Sequence, residues 1–121
     1  MTRIARVLTW IVAVAHLWFM VLESVLWTTP FAQRALHMSA ELAEANKILA
    51  MNQGAYNGVL SAGLVWALFS ARDQQRPRAT FFLASIVIMG IIGAATSGQA
   101  AILLLQAAPA LAALVAVRRS E

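Results

Sequence analysis

The chain has 121 residues, of which 61% are hydrophobic and 12% charged, and its formal net charge is +4. Soluble domains are roughly half apolar and about a quarter charged, so this composition excludes an ordinary water-soluble domain and indicates one integral membrane domain over residues 1–121. The chain has no cysteine, which excludes disulfides and thiolate metal sites.

The first predicted span covers about residues 4–27. Its apolar run is too long for a signal peptide, and no small-residue cleavage pattern ends it. We therefore interpret it as a retained membrane helix. It contains His16 and Glu23, which are seven residues apart and so share one face of a helix.

The connection that follows, TTPFAQRALHMSAELAEANK, is polar and amphipathic. Thr29 before Pro30 predicts a helix start with proline in the first helical position. Ser39 predicts a second N-cap, followed by Glu41 and Glu44 near the positive end of the helix dipole. The pattern is compatible with a short interfacial helix, and it predicts that the second membrane helix begins outside the bilayer.

The second span, about residues 45–70, interrupts its apolar sequence with side-chain amides and a phenol. These groups cannot be satisfied by hydrocarbon. They are Asn52, Gln53, Tyr56 and Asn57. In the same segment Gly54 and Gly58 are four residues apart, which predicts a face where another helix approaches closely.

The last two spans, about residues 79–95 and 100–117, are expected to form a hairpin across the tight turn TSGQ. The preceding stretch RDQQRPR is interpreted as a compact basic loop. In the fourth span Pro109 predicts a kink or a freed carbonyl one turn earlier, and Gln106 adds one more amide.

The arginines predict the topology. They cluster at the N-terminus, in RDQQRPR and at the C-terminus, which alternate spans place on one side. The positive-inside rule assigns that side to the cytoplasm. We therefore predict an all-α, multi-pass four-helix bundle in the cell (inner) membrane with both termini cytoplasmic. This placement of the arginines also argues against nucleic-acid binding.

Seven polar side chains fall at similar predicted depths, in the outer half of the bilayer, when the chain is counted at about 1.5 Å per helical residue. They are His16, Glu23, Asn52, Gln53, Tyr56, Asn57 and Gln106. The inner half is nearly free of such groups. The asymmetry predicts a polar pocket inside the bundle, open toward the outer side.

Four segments, HLWFMVLESVLWTTP, NQGAYNGVLSAGLVWAL, GIIGAAT and QAAPALAAL, resemble the small four-helix bacterial membrane proteins of domain-of-unknown-function family thirteen-oh-four. The resemblance implies four membrane helices and carries no implication for activity. Its pattern is matched at His16, Glu23, Trp27, Pro30, Asn52, Gln53, Gly54, Tyr56, Asn57, Gly58, Gln106 and Pro109. The turn TSGQA departs from the more basic version of this family.

Three functions remain open at this point. In the first, the pocket binds or transports a small, partly polar or lipid-like compound. Its expected ligand-binding residues are His16, Glu23, Trp27, Asn52, Gln53, Tyr56, Asn57 and Gln106. In the second, an intramembrane enzyme performs isomerisation or proton abstraction on a lipid-like substrate, with His16 and Glu23 as catalytic acid and base. In the third, the protein is structural.

The expected partners are the lipid bilayer and a small-molecule or lipid-like ligand. A homodimer through the Gly54 and Gly58 face is a further candidate, since transport by so short a chain favours a dimer. Gly54, Gly58 and Pro109 are assigned to helix packing. No cofactor is expected, and one histidine with one glutamate is too small a set for a catalytic zinc site.

Overall fold

The structure, a computed structural model, describes residues 1–120, and these residues contain helices and no strand. This confirms the all-α prediction. The elements are α1 Arg3–Ser24, α2 Pro30–Ala35, α3 Ala40–Phe69, α4 Arg72–Ser97, α5 Ala100–Ile102, a π-helical turn Leu103–Ala107 and α6 Ala108–Arg118.

Three helical segments are long and apolar enough to cross a membrane: Arg3–Ser24, Arg72–Ser97 and Ala100–Arg118. The helix α3 has 30 residues and is about 45 Å long, so its length also suffices. Its central amides, Asn52, Gln53 and Asn57, interrupt its apolar sequence. The coarse prediction of membrane-spanning helices is therefore supported, and the fourth span stays a prediction.

Both predicted helix starts between α1 and α3 are confirmed. Thr29 caps α2, accepting a hydrogen bond from the Ala32 N–H at 3.4 Å, and Pro30 occupies the first helical position. Ser39 Oγ accepts a hydrogen bond from the Leu42 N–H at 3.1 Å, just before α3 begins. These side chains satisfy N–H groups that the first turn of a helix leaves without partners.

The prediction of a loop over RDQQRPR is wrong, because α4 already begins at Arg72 and the connection from α3 is only Ser70 and Ala71. Asp73 in the first turn suits the positive end of the helix dipole. Pro77 lies near the start of α4, where the missing N–H removes only one hydrogen bond. Charged residues and a proline therefore did not indicate a loop here.

The hairpin turn after α4 is confirmed. Gly98 ends the helix in the left-handed conformation, with φ of 69°, and its N–H donates to the Ala94 carbonyl at 2.9 Å. After α5 the backbone widens into the π-helical turn, in which the Ala108 N–H donates to the Leu103 carbonyl, five residues back. The widened turn ends two residues before Pro109, whose nitrogen has no proton to donate to the carbonyl of the preceding turn.

The chain divides into two compact units. The first contains Met1–Val14 and the chain from Leu60 onward, and the second is Ala15–Val59. The core of the first unit is made of small and branched apolar side chains from α1, α3, α4 and α6. Its members are Ala5, Val12, Ala13, Leu64, Ala67, Ala79, Leu83, Ile86, Ala110, Ala113 and Val117.

Hydrogen bonds in the first unit bring distant parts of the chain to one end. The Thr2 N–H donates to Ser120 Oγ at 3.1 Å, and Arg6 Nη1 donates to the Leu68 carbonyl at 3.4 Å. Arg76 Nη2 donates to the Arg118 carbonyl at 3.2 Å. The start of α1, the α3–α4 connection and the end of α6 therefore lie together.

In the second unit, α1 lies directly against the glycines of α3. A Cβ atom added at Gly54 would overlap Ser24 Oγ and come within 3.1 Å of the Met20 carbonyl oxygen. One at Gly58 would come within 2.6 Å of Met20 Sδ. The small residues therefore set how closely the two helices approach. This face of α3 is therefore in contact with α1, and the homodimer stays a prediction.

Candidate functional site

A side-chain hydrogen bond of the second unit joins Glu23, at the end of α1, to Asn57 in α3. Asn57 Nδ2 donates to Glu23 Oε2 at 2.8 Å, and Asn57 is 7% exposed. The second carboxylate oxygen makes no hydrogen bond within residues 1–120. Because an ionised carboxylate has about four acceptor positions, Glu23 can accept further donors.

Glu23 lies beside a turn that reverses the chain. The N–H groups of Val25 and Leu26 both donate to the Val21 carbonyl, at 3.0 and 3.1 Å, so α1 ends there. Thr29 Oγ1 then donates to the Leu26 carbonyl at 2.5 Å. These bonds fix the residues between α1 and α2, including Trp27.

A cleft of about 180 Å³ opens between this turn and the first half of α3. Its lining residues are Glu23, Ser24, Val25, Trp27, Thr28, Lys47, Ile48 and Met51. The Lys47 ammonium is paired with the Glu44 carboxylate, which reduces its effect on the cleft. The lining therefore offers one carboxylate, one aromatic ring and several apolar groups.

The indole N–H of Trp27 is buried and has no hydrogen-bond partner among the described residues. A buried donor without an acceptor costs about 1 to 3 kcal/mol, and such groups are uncommon in native proteins. Trp27 thus lines the cleft with its side chain, while its indole N–H is enclosed and has no hydrogen-bond partner within residues 1–120.

His16 is enclosed by the protein. It is 1% exposed, and its ring contacts Phe19 edge to face with ring centroids 5.5 Å apart. It does not line the cleft that Glu23 and Trp27 share.

The remaining polar residues of α3 lie on its exposed side. Asn52, Gln53 and Tyr56 are all exposed, Tyr56 by 64%, and none of them lines the cleft. Of the four polar residues in this stretch, the structure brings only Asn57 to Glu23. Their predicted roles in ligand binding therefore stay predictions.

Gln106 belongs to the first unit, where it lies in the π-helical turn and is half-buried. In the same unit, a Cβ added at Gly90 would come within 2.9 Å of Ala107 Cβ and 3.1 Å of its backbone nitrogen. The π-helical turn is thus packed against α4 at Gly90, and Pro109 follows it in the next helix. The role of Gln106 as a ligand-binding residue stays a prediction.

Among the described residues, no three His, Asp or Glu side chains come together in a way that could hold a metal ion.

Sequence reasoning did not select Ser24, Thr28, Lys47 or Met51, which line the cleft. A signal for two of them was available. Lys47 and Met51 continue the face of Gly54 and Gly58 toward the start of α3, at helical spacings of four, three and four residues. The glycine face of α3 packs against α1. Where α1 ends, the continuation of that face is expected to line any cleft that opens there.

The helices define the class: an all-helical chain with three segments long and apolar enough to cross a membrane. Residues 10–118 match the family described as "Protein of unknown function (DUF1304)". The chain belongs to this family, which confirms the resemblance found in its motifs.

A relative, the "Uncharacterized protein YpaA" of Lactococcus lactis subsp. lactis (strain IL1403), is 30% identical over 117 residues. The match covers 95% of this chain and 97% of the relative. No solved structure matches the chain.

Proposed function

We propose that this protein is a four-span protein of the cytoplasmic membrane that binds a small ammonium compound or a lipid-like molecule with an ammonium group. A stronger version of the proposal is that the protein also transports this compound. The cleft at the end of α1 is the binding site. The observation that carries the proposal is the carboxylate of Glu23, held by Asn57 on one oxygen while lining a cleft with Trp27.

The chemistry of the lining supports an ammonium group. A carboxylate attracts a cation, and the face of a tryptophan ring adds cation–π attraction of about 0.5 to 2 kcal/mol. The volume of about 180 Å³ is below the roughly 300 Å³ typical of drug-sized sites, which favours a small molecule or a headgroup alone.

The position of Thr2 and Ser120 supports four spans. They are hydrogen-bonded at one end of the first unit, so the chain between them crosses the membrane an even number of times. Three crossings are available from the apolar helices, and α3 supplies the fourth. The arginines at this end support a cytoplasmic location under the positive-inside rule, which puts the Glu23 cleft on the outer side.

The burial of His16 weighs against the enzyme alternative. A general acid or base has to reach its substrate within hydrogen-bond distance, and His16 is 1% exposed and outside the cleft. The exposed amides of α3 likewise do not add to the cleft.

The test is binding of choline and ethanolamine, with glycerol as the uncharged comparison, to the full chain in detergent by isothermal titration calorimetry. We expect binding of the two ammonium compounds, and loss of at least about tenfold in affinity in Glu23→Gln, since an ion pair at such a site contributes on the order of 1.4 kcal/mol. Glu41→Gln, an exposed glutamate of the same unit, is the matched control. Equal binding by both variants would overturn the proposal.

Transport is tested separately, by flux of the bound compound into liposomes containing the protein. Flux is expected from wild type and not from Glu23→Gln. If Glu23→Gln leaves the flux unchanged, the transport form of the proposal is wrong, while the binding form is still decided by calorimetry.

A further inference from the structure

A second cleft, in the first unit, is formed at the end where the start of α1 meets the start of α4. It has a volume of about 690 Å³ and is lined by Met1, Arg6, Arg72, Asp73, Gln75 and Arg76. Three arginines therefore share one concavity with a single aspartate. Arginine residues that only determine membrane topology do not need to line one cleft. Their shared position is therefore consistent with binding of an anionic ligand.

Arg6 is held in a fixed position within this cleft. Its Nη1 donates to the Leu68 carbonyl at 3.4 Å and to Gln75 Oε1 at 3.2 Å. Gln75 in turn donates through Nε2 to the Leu68 and Ser70 carbonyls, at 3.3 and 3.1 Å. The guanidinium is thus pre-organised, which lowers the entropy lost when it binds an anion.

Arg72 and Arg76 come from the first turns of α4. Arg72 makes no side-chain hydrogen bond within residues 1–120, and Arg76 uses only Nη2, for the Arg118 carbonyl. The helix start has no side-chain cap, so its positive dipole end adds to the arginines. Arg78 is engaged elsewhere, with Ser70 Oγ at 2.6 Å and with the Trp66 ring at 3.9 Å.

An adjoining cleft extends the site along the side of α4. It has a volume of about 510 Å³, and its lining residues are Asp73, Arg76, Pro77, Thr80, Phe81 and Arg118. Asp73 and Arg76 line both clefts. The adjoining cleft therefore leads from the arginines to exposed apolar side chains of a membrane-spanning helix. A phospholipid has the same order of groups, with a charged headgroup followed by acyl chains.

We propose that the Arg6, Arg72 and Arg76 cleft binds the phosphate group of an anionic phospholipid of the leaflet on that side. Planar guanidinium groups match phosphate oxygens in pairs, and the adjoining cleft accommodates the glycerol and the first part of an acyl chain. Inorganic phosphate shares the headgroup chemistry and lacks the chains. This site is independent of the Glu23 cleft, because it uses different residues in the other unit.

The experiment is native mass spectrometry of the full chain released from detergent with equal amounts of dioleoylphosphatidylglycerol and dioleoylphosphatidylcholine. We expect retention of phosphatidylglycerol over phosphatidylcholine by at least about fivefold. In Arg72→Gln/Arg76→Gln the affinity for phosphatidylglycerol should fall on the order of 30-fold, since each arginine near a membrane surface contributes about 1 kcal/mol.

Arg3→Gln/Arg119→Gln is the matched control, because it removes the same charge at the same end from residues outside the cleft. Its affinity should fall less than about threefold. Equal loss in both double variants, or no preference for phosphatidylglycerol by wild type, would overturn the proposal. Arg72→Gln alone keeps the test decisive if the double variant does not fold, since the Arg72 side chain makes no hydrogen bond within residues 1–120 that the substitution would remove.

Addition of inorganic phosphate at millimolar concentration distinguishes the two sources of the phosphate group. If it displaces phosphatidylglycerol, the arginines bind phosphate from either source. If it does not, the acyl chains contribute to binding, as the adjoining cleft suggests. Either result supports a phosphate-binding site at the arginines. If neither phosphatidylglycerol nor inorganic phosphate binds, the proposal is wrong.

Discussion

The side chain of Ser24 lies where a methyl group on Gly54 would have to be. The neighbouring atoms on that side are backbone, the Met20 carbonyl oxygen and the Ser24 nitrogen, both 3.1 Å from the added atom. Backbone atoms of a packed helix cannot move away as a flexible side chain can. At the scale of single residues, the absence of a side chain at Gly54 therefore fixes the position of Glu23, the residue next to Ser24.

Gly54→Ala is expected to destabilise the protein by about 1 to 3 kcal/mol, the usual cost of overpacking. The matched control is Gly93→Ala, where the added atom would meet only Ile102 Cγ2 at an ordinary 3.6 Å. There the better helix propensity of alanine should leave stability unchanged or raise it by up to about 1 kcal/mol. Unfolding by sodium dodecyl sulfate in mixed micelles measures both. Equal stability of the two variants would contradict the close contact.

Asn57→Leu removes the only side-chain hydrogen bond that Glu23 makes within residues 1–120. Leaving a partly buried carboxylate without its donor should cost about 1 to 3 kcal/mol. Asn52→Leu changes the same residue type five positions earlier on the exposed side of α3, where leucine meets lipid and stability should hold or increase. The same unfolding measurement decides. Destabilisation by Asn52→Leu equal to that by Asn57→Leu would mean that the exposed amides have partners outside the single chain.

At the scale of elements, the start or end of a helix could be predicted from the sequence wherever one local interaction determines it. Thr29 and Ser39 each cap the helix that follows, and Gly98 ends α4 by adopting a positive φ. The stretch RDQQRPR is helical although charge and proline usually indicate a loop, because an acidic residue suits the first turn of a helix and α4 continues through Pro77.

The polar residues of α3 were only partly predictable, because depth along a helix does not determine the direction of a side chain. At about 100° per residue, Asn57 falls on the buried face with Gly54 and Ser61, while Tyr56 and Asn52 point about 100° and about 140° away from Asn57. The spacing of the glycines indicates which face of α3 is buried, and the depth of a residue along the helix does not. The pairing of Asn57 with Glu23 needs the register of α1 against α3, which no local signal provides.

Thr29→Ala is expected to destabilise α2 by about 1 kcal/mol, the usual cost of losing an N-cap. The change removes the acceptor of the Ala32 N–H and the donor to the Leu26 carbonyl. Thr28→Ala is the control, since the adjacent threonine uses only its backbone carbonyl, as acceptor from Gln33 Nε2 at 3.1 Å. Hydrogen–deuterium exchange over residues 30–35 should accelerate in Thr29→Ala alone, and equal acceleration in both would contradict the cap.

At the scale of the whole molecule, the topology can be tested directly because the chain has no cysteine of its own. Single cysteines at the exposed positions Gln74, Glu41 and Gln99 report the arginine end, the start of α3 and the hairpin turn. Labelling with a membrane-impermeant maleimide in intact cells should modify Glu41→Cys and Gln99→Cys, and should modify Gln74→Cys only after lysis. Labelling of Glu41→Cys only after lysis, together with Gln74→Cys, would mean that α3 does not cross.

The hydrogen bond between the Thr2 N–H and Ser120 Oγ makes this chain a candidate for backbone cyclisation. A short glycine linker could join the two ends without stretching either helix. Closure would remove conformational freedom from the denatured chain more than from the folded one, since Thr2 and Ser120 are already hydrogen-bonded in the folded chain. A ring-shaped polypeptide of this sequence should therefore resist unfolding better than its linear counterpart, and it would offer no free ends to exopeptidases.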